Sequence, residues 1–178
     1  MNKPQITRDA YSRNLQYVEY LPVEVLEKYA EFDRAGKDAF DHSAATIKEL
    51  ENNLPDAITE PVIIEYFRYE NKALLIEGNH RLRAAINAGI ENLPTVVVTA
   101  KRNPPSKAKP VAGMEPNEHG YIPSMLKPSQ IGLPGMPVEP NDIKDSIYAA
   151  KGSYLQKQIK TGIDAAVEDV IELPRYNK

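Results

Sequence analysis

Ala73-Leu74-Leu75-Ile76-Glu77-Gly78-Asn79-His80-Arg81-Leu82-Arg83-Ala84-Ala85 decides how the fold is read. Ala73 to Ile76 is an apolar run suited to a buried strand, and Glu77-Gly78-Asn79 supplies a turn. From His80 to Ala88, Leu82, Ala85 and Ile86 share one helical face. Gly89 can close that helix in the left-handed region, where a residue without a Cβ pays no steric cost. Thr95-Val96-Val97-Val98-Thr99 then predicts another strand. Strand, glycine turn, helix and strand in this order imply a crossover, so the sheet is expected to be at least partly parallel. The class is α/β (α+β), a small mixed sheet with helices.

Working upstream, Pro61-Val62-Ile63-Ile64-Glu65-Tyr66-Phe67 is a nearly continuous apolar run that suits a strand buried on both faces, with Asn71 turning it into the next strand. Ala44, Ile47, Leu50 and Leu54 predict a helix with Ser43 as its N-cap and Pro55 just past its end. Val25, Leu26, Tyr29 and Phe32 predict a shorter helix stopped by Gly36, after a strand at Tyr17 to Val23. Residues 1–16 are polar and expected to be flexible, which leaves 17–100 as the domain.

Downstream, nine of the 15 prolines fall between residues 101 and 140, so neither a long helix nor a continuous sheet is expected there. The stretch 101–140 reads as a proline-rich linker or wrapping arm. From Asp142, apolar residues such as Ile143, Ile147, Leu155, Ile159, Ile163 and Val167 return at helical spacing, which predicts a C-terminal helical tail over 141–178. That tail could dock on its own domain or form the seam of a homodimer.

Composition narrows the function. With 22 Lys+Arg against 25 Asp+Glu the net charge is -3, so any contact with phosphate must be local. The absence of cysteine excludes disulfides, thiolate nucleophiles and iron–sulfur clusters. His42, His80 and His119 lack metal-site spacing, and no metal site is expected. The opening Met1-Asn2-Lys3-Pro4-Gln5 lacks a signal-peptide core, and no run approaches the roughly 20 apolar residues of a membrane span. A cytoplasmic protein without a membrane partner is expected.

The segment Gly78-Asn79-His80-Arg81 carries the chemistry. A glycine between a strand and a helix lets backbone approach a ligand, and the helix N-terminus presents N–H groups and a positive dipole end to an anion. Asn79 is a candidate cap, and His80 and Arg81 add side-chain donors, with Arg81 able to grip a phosphate through two bonds. The competing reading makes these residues a solvated first turn whose Leu82, Ala85 and Ile86 face the core.

Residues 73–85, followed by Ala88-Gly89-Ile90 and Leu93-Pro94-Thr95-Val96-Val97-Val98, resemble the ParB N-terminal domain of the ParB/sulfiredoxin superfamily. Ile47-Lys48-Glu49-Leu50 and Pro61-Val62-Ile63-Ile64 resemble that family's upstream helix and proline-led strand, so the resemblance covers about residues 17 to 100. It implies binding of a nucleoside triphosphate, ATP or CTP with Mg, at Gly78, Asn79, His80 and Arg81. Sulfiredoxins carry a nucleophilic cysteine where this chain has Asn79, so that activity is excluded. Chromosome-partitioning members have Gly-Glu-Arg-Arg at this site and a long helix-turn-helix domain after it; here an arm and a short tail follow. The chain is thus similar to stand-alone members found in phages and mobile elements.

Three functions follow from the resemblance. The first is a nucleotide-binding module that controls a DNA or protein partner; the second is a phosphotransferase or NTP hydrolase; the third, without a paired-acid motif to support it, is a DNA-acting nuclease. Glu77 is the first candidate for a catalytic or Mg-holding acid, with Glu60, Glu19 and Glu24 as others near the cradle. Lys101, Arg102, Lys107 and Lys109 form a basic run that could touch nucleic acid or simply be solvated.

Overall fold

A computed structural model of the chain describes residues 3–8, 14–30, 36–53, 57–58 and 60–144. Two compact units divide the chain: Met1–Ile6 with Ala10–Ile143, and Thr7–Asp9 with Lys144–Lys178. The C-terminal helix expected beyond Lys144 lies outside the described residues.

The first unit contains three α-helices and a mixed sheet among its described residues. The main strands are β2 (Glu19–Pro22), β4 (Val62–Phe67), β5 (Lys72–Glu77) and β6 (Asn92–Thr99), and the helices are α1 (Val23–Tyr29), α2 (Gly36–Asn53) and α3 (Asn79–Ala88). β4 and β5 form an antiparallel hairpin around Asn71, whose φ of 50° places it in the left-handed region that asparagine tolerates. β6 runs parallel to β4 and antiparallel to β2. The parallel pair is therefore β4 and β6, with a hairpin strand and a helix between them in sequence.

Tyr20, Leu21, Leu26, Val62, Ile64, Tyr66, Leu75, Leu82, Leu93 and Val97 make the core. Burial alternates along β4, with Val62, Ile64 and Tyr66 inside and Ile63 and Glu65 only partly covered. This corrects the expectation of a strand buried on both faces: Glu65 on the second face keeps contact with solvent and pairs with Arg102. A small second cluster, Phe67, Leu74 and Ala108, packs on that face.

Four further expectations change. Gly36 opens α2 instead of stopping the preceding helix, and Ser43 falls inside α2. Residues 37 to 42 contain neither glycine nor proline, so nothing in the backbone prevents the helix from starting about two turns before Ser43. The N-terminal residues are also not simply a solvated tail: β1 (Gln5–Thr7) pairs in parallel with β3 (Ala57–Ile58), and Ile6 is fully buried. Tyr20 donates its hydroxyl to the Pro4 carbonyl at 2.7 Å, with its own acidity suppressed by burial and then by nearby Asp142.

The third correction concerns the boundary near Ala100, because the same compact unit continues to Ile143. Two-residue strands β7 (Lys109–Pro110), β8 (Met125–Leu126) and β9 (Met136–Pro137) pair with β5, β6 and β2 respectively. Leu126, Ile131 and Leu133 enter the core. Proline permits this because short edge strands need few backbone donors. Regular structure in this stretch is confined to such pairs and single 3₁₀ turns, as its proline content predicts. Ile143–Lys144 is extended, so the helical pattern read from Asp142 does not begin there. No helix among the described residues is long and apolar enough to cross a membrane.

Candidate functional site

Gly78 joins β5 to α3 with φ 105° and ψ 16°. Its carbonyl accepts the Leu82 N–H at 2.8 Å, which makes Gly78 the cap residue and Asn79 the first residue of the helix. Asn79 was the expected cap; it lies one position further on, inside the helix. A Cβ on Gly78 would stand 3.0 Å from Val62 Cγ2 and 3.3 Å from Val62 Cα. Both the backbone angle and the close approach to β4 therefore require glycine.

The register between β4 and β5 shifts between Ile63 and Ile64, so that Ile63 faces Glu77 and Ile64 faces Leu75. Ile76 is the extra residue of this bulge, and it projects into solvent. A bulge bends and twists its strand. Here it stands two residues before Gly78, where the chain leaves the sheet for the helix.

Arg81 lies back along the start of β4. Its Nη1 donates to the Pro61 carbonyl at 3.5 Å and its Nη2 stands 3.7 Å from Glu60 Oε1. The Arg81 side chain is 15% exposed and that of Glu60 70%. Both contacts are long, and a guanidinium carries five donors, so the fork is held in place without being saturated. Glu77 and His80 are exposed, and Asn79 is partly buried. Leu82 and Ala85 are buried beneath them and Ile86 is half-buried. One corner of the molecule thus brings together Glu60, Glu77, Gly78, Asn79, His80 and Arg81 at the positive end of the α3 dipole.

Two acids expected near this corner have other positions. Glu19 is buried, and its carboxylate accepts the Ser129 N–H and the Ser129 hydroxyl, each at 2.7 Å. Glu24 lines a hollow of about 480 Å³ with Gly89 and Ile90, beside the C-terminal end of α3. Neither was separable from Glu60 by sequence, because each precedes or begins an element in the same way.

The basic run is split. Lys101 and Arg102 border a groove of about 560 Å³ that also includes Phe67, Arg68, Tyr69 and Tyr121. Lys109 belongs to β7 at the β5 edge of the sheet, and neither it nor Lys107 borders the groove. Tyr69 and Tyr121 carried no periodic signal, since Tyr69 occupies a turn and Tyr121 an irregular stretch just after one. Among the described residues no group of three or more His, Asp or Glu side chains could hold a metal ion. Compared with family models, curated proteins and solved structures, the chain gives no significant match.

Proposed function

We propose that the chain is a nucleoside-triphosphate-binding module of ParB/sulfiredoxin type, with the Gly78–Arg81 corner as its phosphate cradle and a nucleic acid or protein as the partner it controls. The observation that carries this reading is Gly78 itself, held left-handed against Val62 at the exact junction of a strand and a ten-residue helix. Glycine is what that backbone angle and that close approach demand, and a helix N-terminus favours anions. Arg81, one turn into the helix, supports the reading through its unsaturated fork. In this scheme the backbone N–H groups and Arg81 hold phosphate oxygens, while exposed Glu77 and Glu60 are the acids available to share a divalent ion with the phosphates. The protein would work in the cytoplasm, where triphosphates are abundant.

Calorimetric titration with ATP, CTP and GTP, with and without Mg²⁺, tests the proposal. At least one triphosphate should bind below millimolar concentration. Arg81→Ala should weaken that binding about tenfold or more, because a hydrogen bond to a charged group contributes about 1.5–3 kcal/mol. Arg83→Ala should matter less, since two residues along a helix turn the side chain by about 200°. No binding at millimolar triphosphate, or equal binding by both variants, would reject the cradle. Release of inorganic phosphate that depends on Glu77 would identify the phosphotransferase or hydrolase form of the same site.

A further inference from the structure

The end of β4 remote from Gly78 carries a different surface. β4 begins at Val62, against Gly78, and ends at Phe67 in the groove, roughly 17 Å further on at the usual strand rise. Of the three large apolar or aromatic side chains that are exposed among the described residues, two border this groove: Tyr69, 81% exposed, and Tyr121, 59% exposed. Arg68 lies over the Tyr69 ring, 4.5 Å from its centroid. Arg102 stands 5.6 Å from the Phe67 centroid and is oriented by Glu65 Oε1, which accepts from its Nε at 3.0 Å and its Nη2 at 2.6 Å. Lys101 adds a third cation, against Glu70 as the acid bordering the groove.

We infer that this groove binds single-stranded nucleic acid, with bases stacked on Tyr69 and Tyr121 and the backbone tracked by Arg68, Lys101 and Arg102. Exposed rings interleaved with guanidinium groups suit a flexible strand whose bases are unpaired, because every base has a face to stack and a phosphate beside it. A duplex hides those faces. A protein ligand fits less well, since the apolar members Phe67 and Ile122 are buried in the floor and leave no aliphatic anchor pocket. The chain's net charge of -3 does not oppose this, because the three cations converge on one groove.

Fluorescence anisotropy of the full chain with a labelled oligo-dT and with a labelled duplex, at low salt and over a salt titration, tests the inference. Single strand should bind more tightly than duplex, with a log–log salt slope of about -2 for three phosphate contacts. Tyr69→Ala and Tyr121→Ala should each weaken binding about fivefold or more, by loss of a stacking platform. Lys109→Ala, outside the groove, should leave it unchanged, and circular dichroism should confirm that the tyrosine variants fold. Absence of binding at low salt, equal affinity for duplex, or full affinity in both tyrosine variants would overturn the inference.

Discussion

Gly78 and Gly89 bracket the same helix, and both adopt positive φ, at 105° and 76°. Their surroundings differ. Nothing lies within 4 Å of a Cβ built on Gly89, whereas one on Gly78 would press against Val62. Gly89→Ala should therefore cost only the left-handed penalty of about 1–2 kcal/mol. Gly78→Ala should cost more, about 2–4 kcal/mol, because Val62 belongs to the buried face of β4 and can move little. Urea denaturation of the two variants measures the difference, and equal losses would show that Val62 yields. Gly78 and Gly89 were legible in the sequence because each stands where an apolar period starts or stops. The partners of Arg81 were not: Pro61 and Glu60 lie 20 and 21 residues earlier, and only the β4–β5 hairpin brings them near.

Among the elements, β4, β5, α3 and β6 follow from local pattern, the strands as short apolar runs and the helix from the spacing of Leu82, Ala85 and Ile86. The start of α2 does not, because Lys37 to His42 is as compatible with a loop as with a helix and the choice was made on Ser43 alone. The attachment of the arm to β2 is the least local feature: Glu19 and Ser129 are 110 residues apart. Gly135 closes over this joint, and a Cβ there would collide with Glu19 Oε1. Ser129→Ala removes the hydroxyl donor and should cost about 1–2 kcal/mol, while Glu19→Ala removes the acceptor of both bonds and should cost about 2–4 kcal/mol. The double variant should be no less stable than Glu19→Ala by more than a few tenths of a kcal/mol, because the hydroxyl has nothing left to lose. Gly135→Ala should destabilise to a similar extent by displacing the carboxylate. Additive losses in the double variant would mean that Ser129 and Glu19 stabilise the fold separately.

For the whole molecule, the decisive matter is whether residues 101–143 belong to the folding unit or merely wrap it. Their composition suggests an appendage, since proline and glycine interrupt every period. Their packing says otherwise: Leu126 and Ile131 are fully buried in the same cluster as Leu75 and Leu82. Tyr66 makes the connection specific, donating its hydroxyl to Asn71 Oδ1 at 2.7 Å while accepting the Met114 N–H at 2.9 Å. Tyr29 likewise donates to the Pro110 carbonyl at 3.0 Å. An arm tied to the β4–β5 turn, to α1 and to β2 cannot detach without exposing core side chains and stranding buried polar groups. Leu126→Ala and Ile131→Ala should therefore each cost about 2–5 kcal/mol, the range for truncation of a large aliphatic side chain in a core, and so should Leu75→Ala. All three should lower the urea midpoint without changing the slope, because one cooperative unit exposes the same surface each time. A wrapping arm would behave differently: its variants would open it at low urea in a separate transition, while Leu75→Ala alone shifted the main one.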